Sequence, residues 1–171
     1  MIERKADLFE MIFEEKTDAI CITTNGQVLT DGRAAMGGGC AGVCARKYPQ
    51  TAIRLGMCLK NFGTNQPFVI GALDKRGQYL EPTMKLIKAR RFKCLIFSFP
   101  TIDRILDGAK LDLIERSARE LKVLVNRFEL RGVVCPRMGV GIGGLSWADV
   151  RPVVEPFMDD RFTVVSFAHE D

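Results

Sequence analysis

The chain of 171 residues has one histidine, His169, and no CxxC pair among its six cysteines. That scarcity argues against a zinc site, which gathers closely spaced Cys and His ligands. Cys40 and Cys44 sit one helical turn apart, with no second histidine to complete a ligand set. Cys21, Cys94 and Cys135 lie inside apolar, β-branched runs, where a cysteine behaves as a small buried hydrophobe. No apolar stretch approaches the roughly 20 residues that cross a bilayer. The opening residues Met1–Asp7 are charged early and lack the apolar centre of a signal peptide. A cytoplasmic protein is the expectation. Repeats, linkers and low-complexity tracts are missing as well, so residues 1–171 are read as one domain.

What is present suits a packed core. Hydrophobic residues make up 47% of the chain, enough to fold without disulfides or metal. The net charge of +4 favours an anionic ligand without specifying one. Short apolar runs at Ala19–Thr23, Phe68–Leu73, Cys94–Phe99, Val133–Pro136 and Phe162–Phe167 read as strands covered on both faces. Helical spacing links Leu111, Ile114, Ala118, Leu121, Leu124 and Val125, and a second helix is predicted over Thr51–Phe62. A short helix is expected near Leu8–Glu15. Asp74–Gly77 reads as a hairpin turn, and Pro82–Arg91 is ambiguous between helix and extended chain. Alternating strands and helices predict an α/β domain with helices on both faces of a mixed sheet.

Two glycine clusters follow strands. Met36-Gly37-Gly38-Gly39-Cys40 comes after the Ala19–Asn25 segment and a polar loop. If a helix opens at Gly39, its unpaired N–H groups and positive dipole end make an anion site. No Gly-Lys-Ser/Thr follows, so this is not a Walker loop. Gly139-Val140-Gly141-Ile142-Gly143-Gly144 directly follows the second strand end, where ligands bind in open α/β sheets. Ser146 and Asp149 are suited to cap the next helix, which Pro152 and Pro156 would shorten or kink. Two loops on two strands suggest a clasp for a diphosphate; spacing alone does not bring them together.

Single residues carry two readings each. Asn25 is either a turn residue before Gly26 or a hydrogen-bonding group aimed at a ribose. Asp7 either caps a helical turn or accepts from an exocyclic amine such as that of adenine. Phe167 is either core or a surface for base stacking. The basic run Lys85, Lys88, Arg90, Arg91 and Lys93 is either a solvated face or a contact for nucleic acid. It has only Phe92 to stack on a base.

Together these segments resemble the macro domain family. Lys5–Phe9 is similar to its Gly-Asp-Leu start, with Ala6 in place of the glycine. Asp18–Asn25 is similar to its Asp-Ala-Ile-Val-Asn-Ala-Ala-Asn strand. Met36–Cys40 and Arg137–Trp147 resemble the Met-Gly-X-Gly-Ile and Pro-Arg-Ile-Gly-Cys-Gly-X-Gly-Gly-Leu-Asp-Trp loops of one branch. That branch holds the terminal ADP-ribose protein glycohydrolases and the antitoxins that strip ADP-ribose from DNA. The resemblance implies a three-layer α/β/α fold and a cleft for ADP-ribose; neither a metal nor a cofactor is expected. It implies that Asp7, with Leu8 beside it, meets adenine; Phe167 stays a candidate for stacking on the base. Gly37, Gly38 and Gly39 would line one side of the diphosphate. Gly139, Gly141, Ile142, Gly143 and Gly144 would wrap the other. Asn25 would sit near the distal ribose as the candidate catalytic group. Two departures stand out. Ile102 follows Phe99-Pro100-Thr101 where many relatives place a lysine nucleophile, and Gly143 stands where some place an acid. The expectation is an ADP-ribose binder with or without hydrolase activity. The alternatives are a nucleic-acid module and a protein that sequesters a related nucleotide signal.

Overall fold

The structure, a computed structural model, describes residues 1–166. Seven strands form one mixed sheet: β1 (Ile2–Lys5), β2 (Ala19–Asn25), β3 (Val69–Leu73), β4 (Tyr79–Leu80), β5 (Cys94–Ile102), β6 (Val133–Pro136) and β7 (Phe162–Ser166). Their spatial order is β1-β7-β6-β2-β5-β3-β4. The first five in that order run parallel; at the far edge β3 pairs antiparallel with β5, and β4 antiparallel with β3. The helices are α1 (Gly39–Lys47), α2 (Gln50–Phe62), α3 (Met84–Lys88), α4 (Leu111–Arg127) and α5 (Trp147–Val154). None of these is long and apolar enough to cross a membrane.

Strand alternation divides the core in two. Ile20, Ile22, Ile70, Ile96 and Val134 point to one face, against Cys44 of α1 and Leu55 and Leu59 of α2. Ala19, Cys21, Phe97, Phe99, Val133 and Cys135 point to the other, against Ile114, Leu121 and Val125 of α4 and Val150 of α5. The apolar runs are therefore explained by burial on both sides, and the three-layer α/β/α architecture expected from the sequence is present. Burying each large side chain such as Phe97 or Leu121 contributes about 1.5–3 kcal/mol. The α4 pattern has a second element: Ser117 Oγ donates to the carbonyl oxygen of Pro100 at 2.8 Å, tying the helix to the end of β5.

Two strands have no apolar signature. All four residues of β1 are exposed, and three are charged, as suits an edge. β4 has two residues and follows the Asp74–Gly77 turn, which closes the expected hairpin. The segment near Leu8–Glu15 departs from its expectation: it makes only one 3-10 turn, Glu10–Phe13. Pro82–Arg91 resolves into a cap at Thr83 and the short helix α3. Ser146 caps α5 as expected, accepting from the Asp149 N–H, and α5 has eight residues with Pro152 inside.

Asp18 anchors the entry to β2. It is 3% exposed and accepts from the Arg131 backbone N–H at 2.8 Å, from Arg131 Nη2 at 2.8 Å and from Arg90 Nη2 at 3.2 Å. Burial opposes its charge, but the Arg131 hydrogen bonds and the two guanidinium charges outweigh it and hold the carboxyl below its usual range. Gly56 is the second tight point. A Cβ there would lie 2.1 Å from the Gly32 carbonyl oxygen and 2.9 Å from the Ala34 nitrogen, so α2 and the β2–α1 connection touch backbone to backbone.

Two stability measurements follow. Asp18→Ala leaves the Arg131 N–H and two cations unpaired, and chemical denaturation should show a loss of about 2–3 kcal/mol at pH 7. Because the folded-state pKa is depressed, this stabilisation is complete above the unfolded value near 4 and is lost as pH falls through the folded value. Asp18→Asn should therefore flatten the acid limb of the stability curve. Gly→Ala in a helix interior ordinarily gains about 0.5–1 kcal/mol. Here Gly56→Ala should instead cost about 1–3 kcal/mol, as for other overpacked sites.

Candidate functional site

The parallel strands β2, β5, β6 and β7 end on the same side of the molecule, and their ends form the floor of a cavity of about 560 Å³. Thr23, Thr24 and Asn25 come from β2, Thr101 and Ile102 from β5, Pro136 from β6 and Val165 from β7. Met36–Ala41 form one wall and Gly139–Gly143 the other. The two glycine clusters thus face one cavity. They also approach each other directly: a Cβ on Gly38 would lie 2.9 Å from Ile142 Cδ1.

Each wall has a local cause. α1 begins at Gly39 with Gly38 as its N-cap, and no side chain caps it. The first N–H groups of this nine-residue helix therefore face the loop without a side-chain acceptor. The second loop turns through Gly139, Gly141 and Gly144, whose φ values are 74°, 73° and 77°. Side-chain-bearing residues rarely adopt that conformation, which explains the repeated glycines. The loop is closed by Gly144 N–H to Gly141 O and Leu145 N–H to Gly139 O, both 3.0 Å. Gly143 O accepts from Ala109 N–H at 2.9 Å, joining it to the segment after β5.

Asn25 borders the cavity but its amide is already engaged. Nδ2 donates to Ala35 O and Oδ1 accepts from Gln27 N–H, both at 2.9 Å. It therefore holds the first loop against the strand end. Ile102 lines the cavity, with its carbonyl accepting from Asn65 Nδ2 at 3.0 Å. Gly37, Gly38, Gly39, Gly139, Gly141, Ile142 and Gly143 all line it, and Ile142 is largely exposed at its mouth. Gly144 lies just beyond, closing the turn. Asp7 and Leu8 do not border the cavity. Asp7 Oδ1 caps the 3-10 turn, accepting from Phe9 N–H at 2.7 Å and Glu10 N–H at 3.2 Å. Leu8 is packed in the core. Phe167 and His169 lie outside the described residues.

Sequence reading did not single out Cys40, Thr101, Ile105 or Arg137 for the site, although Arg137 stood inside the quoted loop motif. Arg137 packs its guanidinium over Trp147 at 5.8 Å and lies 4.0 Å from Glu3. Glu3 is itself held by Arg151 and Trp147, with the Arg151 hydrogen bond foremost in lowering its pKa. Arg137 is the one charged residue on the cavity lining among the described residues. Cys40 Sγ lies 3.2 Å from Thr23 Oγ1. Burial pushes its thiol pKa up, and the Thr23 hydrogen bond offsets only part of that.

No known family model matches the chain, and no curated protein matches it by sequence. Solved structures do match. The macrodomain of Mycobacterium tuberculosis DarG shares 24% identity over 96% of this chain and 95% of its own, with a TM-score of 0.68. The macrodomain of Thermus aquaticus DarG shares 19% over 97% and 96%, with a TM-score of 0.69. The fold is that of a macrodomain. Thermosipho africanus DarTG, solved in complex with ADP-ribose, matches at 15% identity over 94% of this chain and 40% of that one, with a TM-score of 0.70. Within this fold, Cys40 is the cysteine on the cavity lining among the described residues, and its raised pKa sets its reactivity. Alkylation at pH 7.5 should modify Cys40 several-fold more slowly than a free thiol, roughly tenfold slower per unit of pKa rise. It should leave the buried Cys21, Cys44, Cys94 and Cys135 untouched until unfolding. Peptide mass mapping over time checks this.

Proposed function

We propose that the cavity binds ADP-ribose, free or carried on a macromolecule. The observation behind this reading is the convergence of two glycine loops on one cavity at the C-terminal end of a parallel sheet. Backbone rather than side chains builds both walls, which suits an extended anion contacted from two sides. The start of α1 adds the positive end of a helix dipole to the first wall. Arg137 borders the cavity beside the second and adds positive charge nearby. The volume of about 560 Å³ fits a nucleotide-sized ligand. The ADP-ribose complex of the structurally similar DarTG supports the same choice of ligand.

Recognition without turnover is the form of this reading that we favour. Among the described residues, the cavity lining holds no Asp, Glu, His or Lys. A general acid or base of ordinary strength is therefore missing from the lining. Position 102, where the family resemblance implies a lysine nucleophile, carries isoleucine, which forms no covalent adduct. Cys40 is kept protonated by burial. Hydrolysis would rest on Asn25 and the ligand's own hydroxyls and phosphates to orient a water. A nucleic-acid role for Lys85, Lys88, Arg90 and Arg91 draws less support. The Arg90 guanidinium is spent on Asp18 and on the carbonyls of Phe128 and Glu129. Lys93 beside them donates to the carbonyls of Glu14 and Thr17.

Calorimetric titration with ADP-ribose tests the reading, paired with Gly37→Val. A Cβ at Gly37 meets nothing within 4 Å, so the larger side chain enters open space without disturbing the fold. Binding to the wild type and a loss of about tenfold or more in the variant, roughly 1.4 kcal/mol, with an unchanged melting temperature, is the expected result. No heat from the wild type at saturating ligand would refute it. Rapid release of ADP-ribose from modified protein or DNA would move the assignment from reader to hydrolase.

A further inference from the structure

The floor of the cavity carries two adjacent threonine hydroxyls with different surroundings. Thr23 Oγ1 is matched with Cys40 Sγ at 3.2 Å. Thr24 Oγ1 is buried and has no hydrogen-bond partner among the described residues, although Thr24 borders the cavity. Its neighbour across the sheet is Pro100, which brings no N–H. The register then shifts, so that Asn25 pairs with Ile102 and Thr101 is passed over. The shift falls where the strands reach the cavity. A buried hydroxyl left unpaired costs free energy that a valine of the same shape would not. A polar group carried at such a cost in a binding cavity is explained if the ligand completes it.

We propose that Thr24 is a specificity residue: its hydroxyl is paired by a hydroxyl of the sugar end of the bound ligand. This rests on the ADP-ribose reading of the cavity. A sugar hydroxyl both donates and accepts, as threonine does, so the pair forms in either sense. A phosphate oxygen offers acceptance alone, and the anion's place is between the glycine walls. The sugar end therefore sits on the strand ends, beside Asn25. Thr24 Oγ1 is shielded as it stands. Pairing with the ligand therefore goes with a step to another staggered χ1 well, in which Oγ1 and Cγ2 both move and the hydroxyl reaches the cavity. Thr24 thereby reports a sugar on the floor of the site, while the loops hold the diphosphate of any nucleotide.

The test compares wild type, Thr24→Val and Thr24→Ser by calorimetry with ADP-ribose and with ADP, and by melting temperature without ligand. Thr24→Val should melt about 2–4 °C higher, because the unpaired hydroxyl is gone and the packing is kept. Its affinity for ADP-ribose should fall about tenfold while that for ADP is unchanged. Thr24→Ser, which keeps the hydroxyl, should bind ADP-ribose within about threefold of the wild type. Undiminished ADP-ribose binding by Thr24→Val would overturn the proposal, as would an equal loss for both ligands. If the wild type binds neither ligand, the ADP-ribose reading itself fails and this proposal with it.

Discussion

Everything in this molecule is referred to β2. It runs through the middle of the sheet, hydrogen-bonded to β6 on one side and β5 on the other. Its entry is fixed by a buried carboxylate, Asp18, which cannot be left unpaired and so demands Arg131 and Arg90 at one spot. Because the strand is pinned at that end, its length determines where Thr23, Thr24 and Asn25 emerge at the other. The alternation of Ile20 and Ile22 against Ala19 and Cys21 then forbids a slip by one residue, which would turn each set towards the wrong layer. A charged cluster remote from the cavity thus sets the position of its floor.

The walls follow from that floor. The connection after β2 is tied back by Asn25 to Ala35 and by Ala34 to Ala52 of α2, so the first loop cannot drift from the strand end. The second loop is tied to the segment after β5 through Gly143 and Ala109. These are backbone ties and do not depend on ligand. A site built this way has its donors oriented beforehand, which lowers the entropic cost of binding.

Much of this was legible in the sequence. Runs such as Cys94–Phe99 and the spacing of Leu111–Val125 marked strands and helix because burial on one or two faces leaves a periodic trace. β1 left none, since an exposed edge strand of Ile2, Glu3, Arg4 and Lys5 has nothing to bury. Asp7 makes the turn cap that the chain around it predicts, and it is not among the residues lining the cavity. That Gly38 and Ile142 meet was not readable, because it depends on β2 and β6 being neighbours in the sheet. Thr24 was silent for a similar reason. Its lack of a partner depends on what the folded chain packs around it, which no local pattern records.

The charged edge strand β1 has a colloidal consequence. An outermost strand offers a template on which another chain can add, and a long apolar edge invites aggregation. Here Glu3 is held by Arg151 and Trp147, and Arg4 forms a two-pronged pair with Glu14. A chain docking on this edge would have to lie against fixed ion pairs of both signs. At the opposite edge, β4 is only two residues long, too short to seed a ladder. Among the described residues the sheet is therefore guarded at both margins by fixed charge and short length, so that concentrated solutions of the protein should resist fibrillar self-association.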